Sequence, residues 1–122
     1  MDINNYWQVV LNQEASKIEA FFHEEAVIKW RDTNEQFTVS EFIQANCEYP
    51  GEWSGEIKRI ERTPEQLISV THVFSKDKSA NFHVVSFIKI KDNKIMEIDE
   101  YWGEIGSIPQ WRIDKNIGRK ID

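Results

Sequence analysis

The sequence predicts an α+β domain in which helices come first and a mostly antiparallel sheet follows. Before Gly51, apolar residues mostly recur at the three- and four-residue spacings of helices. After Gly51 they alternate with polar residues, as strands do, and "TPE", "SKDKSA" and "DN" separate the alternating segments. Helices followed by a run of strands are typical of the α+β class. The 122 residues contain no internal repeat and no linker, so we expect a single domain over residues 1–122.

Two helices are predicted at the start of the chain. The apolar face of the first comprises Ile3, Trp7, Val10 and Leu11. The second carries Ala15, Ile18 and Phe22 at similar spacing.

A short strand and a third helix come next. "AVIKWR" alternates, with Ile28 and Trp30 on one side. Thr38 and Glu41 have the spacing of a capping box, which predicts that a helix begins there. One stripe of this helix carries Val39, Phe42, Ile43, Asn46 and Cys47. "YPG" at residues 49–51 ends it.

The last two strands predict which of two neighbouring acids is buried. Successive strand residues point to opposite faces, so Asp99 and Glu100 cannot both lie inside. The even-numbered positions are mostly apolar: Ile88, Ile90, Met96, Ile98, Glu100 and Trp102. The even face therefore packs on the core and takes Glu100 with it, while Asp99 faces outward. A three-residue loop at 92–94 would place Glu100 opposite Ser86, and Trp102 opposite Val84.

The strand "QLISVTHVF" has two possible inward faces. The larger and more apolar one comprises Ile68, Val70, His72 and Phe74, and we expect it to face inward. The other comprises Leu67, Ser69, Thr71 and Val73. In "WSGEIKRIER", Ile57 and Ile60 have opposite parity, which predicts a bulge near Gly55 or Lys58.

Composition excludes several classes of protein. The formal charge is −6 and no basic tract carries interleaved aromatic residues, so a nucleic-acid partner is not expected. A single cysteine cannot form an internal disulfide, and the N-terminus lacks the pattern of a signal peptide. No window approaches the ~20 apolar residues of a membrane span. We therefore expect a cytoplasmic protein without a membrane partner. Three scattered histidines and one cysteine match no metal-ligand spacing, and neither a metal nor a cofactor is expected.

These segments resemble a known superfamily. The N-terminal helices, "FFHEEAVIKW", the third helix and strands ending in "KIMEIDEYWG" look like the nuclear transport factor 2-like superfamily, in its SnoaL-like and ketosteroid-isomerase-like branch. "DTNEQFTVSEFIQANCEYPGEW" and "EYWGEIGSIPQWR" are similar to a bacterial group described by its fold alone. The resemblance implies a cone-shaped barrel, in which a curved, mostly antiparallel sheet wraps around about three helices and leaves an apolar cavity. It also implies a homodimer through the convex sheet face. We expect this outer face to contain Val73, Val85, Phe87 and Tyr101.

Related epoxide hydrolases carry an acid before an aromatic pair on the last strand, and Glu100 in "EYW" matches that acid. Their second catalytic acid corresponds to His72, and their nearby arginine to Val70. Their water-positioning residues correspond to Ile28 and Trp30. The sequence keeps one of these polar positions, changes another to histidine and lacks the rest.

The predicted site centres on Glu100 and His72. In an apolar cavity the charged form of Glu100 is disfavoured, so its pKa rises toward a range useful for proton transfer. His72 would act as acid or orienting group, on a strand whose backbone lies roughly 10 Å away. The other ligand-binding candidates are Ile28, Trp30, Asn46, Val70, Phe74, Val84, Ser86, Ile98 and Trp102.

Two functions remain open at this point. One is binding of a small apolar molecule, with isomerase-, dehydratase- or cyclase-like proton transfer by Glu100 and His72. The other is a non-catalytic binding or interaction domain, in which tryptophans fill the cavity and Glu100 is held by Trp30 or Arg112. The tail "GEIGSIPQWR" is expected to fold over the sheet edge or the barrel mouth, anchored by Trp111.

Overall fold

The computed structural model describes all residues, 1–122, and confirms the α+β class. The helices are α1 (Ile3–Leu11), α2 (Ala15–Glu19), α3 (Val39–Cys47) and α4 (Gln110–Asp114). The strands are β1 (Phe22–Trp30), β2 (Glu35–Phe37), β3 (Trp53–Arg62), β4 (Gln66–Ser75), β5 (Asn81–Lys91) and β6 (Lys94–Glu104). They form one curved, unclosed sheet in the order β2-β1-β6-β5-β4-β3. Only β1 and β6 pair in parallel; α1 packs on β3 and α3 on β1, which encloses the core.

Side-chain caps define where the two longer helices begin. Asp2 accepts a hydrogen bond from the backbone N–H of Asn5 at 3.1 Å and starts α1. The predicted capping box is confirmed: Thr38 Oγ1 accepts from the Glu41 N–H, and the Glu41 carboxylate accepts from the Thr38 N–H. The second helix is shorter than predicted, because Phe22 begins β1, where its ring is buried.

The β5–β6 hairpin reaches the predicted register by a different route. Its loop is the two residues Asp92 and Asn93, with φ of 51° and 63°, rather than the predicted three. A register shift beyond this loop, between Lys89 and Ile90, restores the pairing of even with even positions. The predicted pairs Ser86–Glu100 and Val84–Trp102 are therefore confirmed. The same shift turns Ile95 fully inward, although its odd number predicted the outer face.

The prediction for β4 is wrong, because its odd-numbered residues face the core. Ser69 pairs with the inward residue Ser86, and both side chains are fully buried. The outer, half-buried face carries Ile68, Val70, His72 and Phe74. The physical reason lies in α1: the large Trp7 ring occupies the space above the sheet, and its Nε1 donates to Ser69 Oγ at 3.4 Å. Small polar residues fit beneath it, so apolar content alone predicted the wrong face.

The bulge in β3 is confirmed at Lys58, where the pairing with β4 shifts between Ile57 and Arg59. Near the start of the same strand, Gly55 allows a close approach to β4. A Cβ on Gly55 would lie 2.7 Å from the backbone oxygen of His72, which is too close for any other residue.

The C-terminal tail does not anchor as predicted. No residue of α4 is buried, and 59% of the Trp111 surface is exposed. None of the four helices has the length and apolar character needed to cross a membrane.

Candidate functional site

A cavity of about 240 Å³ lies between the first and third helices and the concave face of the sheet. Its aromatic walls are Tyr6, Trp7, Trp30, Phe42, Tyr49, Trp53, Phe82 and Trp102. Its polar residues are Gln13, Asp32, Thr33, Asn46 and Glu100, and the remaining walls are small aliphatic side chains. The volume exceeds the roughly 150 Å³ of an engineered apolar cavity that holds benzene, so a small molecule fits.

Glu100 is the buried acid of this cavity, with 3% of its surface exposed. Its strand, β6, lies between β1 and β5, which places Trp30 on one side of it and Ser86 on the other. Trp30 Nε1 donates to Glu100 Oε1 at 3.1 Å, and Ser86 Oγ donates to Oε2 at 2.6 Å. Each carboxylate oxygen therefore has one neutral donor and no ion-pair partner.

Burial raises the pKa of Glu100 to about 7. The hydrogen bonds from Ser86 and Trp30 favour the charged form and oppose this rise, while the negative charge of Asp32 adds to it. The Trp102 indole also favours the charged form, although its buried Nε1 falls short of hydrogen-bond geometry and has no partner. Both protonation states of Glu100 are therefore accessible near neutral pH.

Tyr6 places a phenol in the same cavity. Its side chain is 1% exposed, and burial together with the negative charge of Glu100 raises its pKa well above the usual value. Tyr6 therefore stays protonated and is available as a hydrogen-bond donor at neutral pH.

Asp99 lies on the opposite face of the sheet, as predicted. Arg31 binds it through two hydrogen bonds of 2.6 and 2.8 Å, and this partner holds the pKa of Asp99 below its usual value. The two adjacent acids thus have pKa shifts of opposite sign because one side chain faces the cavity and the other faces an arginine.

Four of the predicted site residues line the cavity: Trp30, Asn46, Glu100 and Trp102. The Asn46 side chain is engaged within the protein, because its Nδ2 donates to the Val10 carbonyl at 2.9 Å. Four others are fully buried in the core without lining the cavity: Ile28, Val84, Ser86 and Ile98.

The structure does not bring His72 and Glu100 together. His72 lies on the outer face of β4, where its Nε2 is 3.0 Å from Asn81 Oδ1. Val70 and Phe74 share that face and cannot contact a ligand in the cavity. Val73, predicted in the dimer interface, is instead 4% exposed and lines the cavity.

Sequence reasoning missed the walls that come from helices and loops. Tyr6 and Trp7 from α1, and Tyr49 from the segment after α3, converge only in the folded chain. Phe82 had a detectable signal, because it shares the inward parity of Val84 on β5. No group of three or more His, Cys, Asp or Glu side chains is placed to hold a metal ion.

No protein-family model matches the sequence, and no curated protein matches it. Several solved structures, however, match the fold of this chain. A proposed ketosteroid isomerase from Kribbella flavida superimposes with a TM-score of 0.80 at 16% identity, covering 98% of this chain and 87% of that one. A proposed SnoaL-like polyketide cyclase from Shewanella putrefaciens gives 0.67 at 10% identity, covering 80% and 75%. An LEH-like epoxide hydrolase of M. tuberculosis gives 0.67 at 11% identity, covering 83% and 79%.

These three structures share an architecture and differ in the activity their names state, so the likeness concerns the fold. The epoxide-hydrolase correspondence also fails at β4, since the inward residues are Ser69 and Thr71 rather than Val70 and His72. With its curved six-stranded sheet, its helices in the N-terminal half and these superpositions, the chain has the nuclear transport factor 2-like fold found in SnoaL-like and ketosteroid-isomerase-like proteins.

Proposed function

We propose that the protein binds a small, largely apolar molecule in the aromatic cavity and that Glu100 exchanges a proton with it. The observation that carries the proposal is the burial of the Glu100 carboxyl group, without an ion-pair partner, in a cavity whose walls are mainly apolar. This burial raises its pKa to about 7. Perturbed acids in apolar cavities are candidates for function because both protonation states are populated near neutral pH.

The chemistry that fits is general acid–base catalysis on a single proton. A base with a pKa near the working pH is both ionised and basic enough to remove a proton adjacent to a carbonyl. Tyr6 supports this role, since its protonated phenol can donate a hydrogen bond to an oxygen of the ligand. His72 has no part in the mechanism, because it lies on the other face of the sheet.

One observation favours a second candidate, a binding domain without chemistry. Both oxygens of Glu100 accept a hydrogen bond from the protein, as expected of an acid that only holds β1, β5 and β6 together. The two candidates differ in whether Glu100 contacts the ligand.

A thermal-shift screen of apolar carbonyl and polycyclic compounds tests the proposal. A compound that binds the folded state at a hundred times its Kd adds about 2.7 kcal/mol of stability and raises the melting temperature. We expect such compounds to stabilise the wild type and to stabilise Glu100→Gln less. Asp99→Asn is the matched control on the outer face and should respond as the wild type does.

Two outcomes would contradict the proposal. Shifts that persist in Ala45→Trp, which fills the cavity from α3, would place binding elsewhere. Equal shifts in the wild type and Glu100→Gln would show that Glu100 does not contact the ligand. The second candidate, a binding domain without chemistry, would then be favoured.

We also propose that two copies of the chain pair through the outer sheet face. Tyr101 is 47% exposed there, and its ring packs edge-on against Phe87 with centroids 6.1 Å apart. An aromatic patch of this kind is typical of protein interfaces. Light scattering is expected to give twice the chain mass for the wild type and the single-chain mass for Phe87→Glu. Glu19→Lys, on the helical side, should remain dimeric; a monomeric wild type would refute the pairing.

A further inference from the structure

The charged side chains that line the cavity are all acidic. Its walls include two acids, Asp32 and Glu100, and no lysine, arginine or histidine. A carboxylate or phosphate ligand would meet negative charge without a counter-charge, and burying it there would be costly. Anionic ligands are therefore excluded by the lining itself.

The aromatic walls of the cavity also favour a positively charged ligand. Eight of the lining side chains are aromatic, and four of these are tryptophans: Trp7, Trp30, Trp53 and Trp102. The face of an aromatic ring carries partial negative charge and attracts a cation within about 6 Å of its centroid, most strongly for tryptophan. Clusters of such rings are the usual means of holding quaternary ammonium groups.

Glu100 has no positively charged side chain beside it to act as a counter-ion. Its hydrogen bonds come from the neutral groups of Trp30 and Ser86. Arg31 follows Trp30 in sequence, but it lies on the outer face and is bound to Asp99. Arg112, the other partner that the sequence suggests for Glu100, lies in the exposed tail, and its guanidinium is 5.8 Å from the centre of the Trp111 ring. A buried charge without a counter-ion is unfavourable, and a cationic ligand would supply what the chain does not.

We propose that the ligand of this cavity is a small organic cation, an amine or quaternary ammonium ion with apolar substituents, held by the tryptophan faces and by Glu100 and Asp32. This inference rests on the proposed function and narrows its ligand class. The net charge of −6 also favours the approach of cations.

Binding of a cation is linked to ionisation of Glu100. The titratable groups that share the cavity are Tyr6 from α1, Asp32 after β1 and Tyr49 after α3, and none of them is cationic. A cation therefore favours the carboxylate over the neutral acid, and binding releases a proton. With a pKa of about 7 in the free protein, affinity rises with pH across neutrality, by up to roughly tenfold between about pH 6 and about pH 8.

The experiment compares two probes of the same shape. Benzyltrimethylammonium carries a permanent charge, and 2,2-dimethylpropylbenzene is its neutral carbon analogue. Both are titrated into the protein at about pH 6 and about pH 8, with binding followed by NMR chemical shifts of the indole N–H groups. We expect the cation to bind at least tenfold more tightly than the neutral analogue at the higher pH. Glu100→Gln should remove the pH dependence, and Asp32→Asn should weaken cation binding at both pH values.

Each other outcome overturns the inference in a recognisable way. If the neutral analogue binds as tightly as the cation, the cavity takes neutral ligands, and the proposed function stands without its cationic class. If the cation binds but Glu100→Gln keeps the same pH dependence, Glu100 does not pair with the cation. If Ala45→Trp still binds the cation, the contact lies outside the cavity. If neither probe binds, the cationic class is refuted, and the carbonyl screen decides the proposed function separately.

Discussion

The wild type is expected to lose stability as pH rises from about 4.5 to about 7, and Glu100→Gln is expected not to show this loss. These values are the ordinary pKa of the side chain and its raised pKa in the folded protein. Within this window the folded state retains a proton that the unfolded state has released, so stability falls as pH increases. A rise in pKa of this size corresponds to about 3 kcal/mol. Glutamine has the same shape, carries no charge and makes no such contribution.

Urea denaturation of both proteins at a series of pH values measures the effect. The free energy of unfolding of Glu100→Gln minus that of the wild type should increase by about 3 kcal/mol between about pH 4.5 and about pH 8. Asp99→Asn is the control with the opposite sign: its lowered pKa means that its contribution is lost only as pH falls into the acid range. Parallel profiles for Glu100→Gln and the wild type would show that Glu100 is already solvated or paired.

Ile28→Ala is expected to cost 2–5 kcal/mol of stability, which is the usual range for removing a buried isoleucine side chain. Ile28 is fully buried on β1, between Phe37 of β2 and Ile98 of β6, and it does not line the cavity. Its truncation leaves a void in the core rather than a larger ligand site. Ligand affinity should therefore change little while the melting temperature falls substantially.

Ile28→Val provides a folded control, since this smaller change typically costs 0.5–1.5 kcal/mol. Stability is measured by denaturation, and affinity is measured under conditions in which each variant is folded. If Ile28→Val weakens binding several-fold without loss of stability, Ile28 contacts the ligand as the sequence predicted, and the cavity extends deeper than its present walls.

Strand parity predicted the β6 half of the site because the pattern there is unambiguous. Between Glu97 and Trp102, the inward positions of β6 are apolar apart from Glu100, and two of the three outward ones are charged. A slip of one residue would expose Ile98 and bury Asp99 away from Arg31, at a large cost. The Thr38 capping box was predictable for a similar reason, since both partners lie within one helical turn.

The same reasoning failed for β4, where both faces carry apolar residues. The outer face, with Val70 and Phe74, is more apolar than the inner one, so composition points to the wrong face. What separates them is the pairing of β4 with β5, and the Trp7 ring that fills the space above Ser69. Because β4 presents its odd-numbered residues to the core, His72 faces outward and does not meet Glu100 as predicted.

The sequence by itself determined the fold class, the capped third helix, a bulge in β3 near Gly55 or Lys58 and the inward direction of Glu100. These features depend on periodicity and on neighbours within a few residues, which a sequence displays directly. Only the tertiary structure decided which helix and loop residues complete the cavity around Glu100 and that His72 lies on the far side of the sheet. Tyr6, Trp7 and Tyr49 come from α1 and from the segment after α3. Long-range packing brings them into one cavity with Glu100 and leaves no local pattern in the sequence.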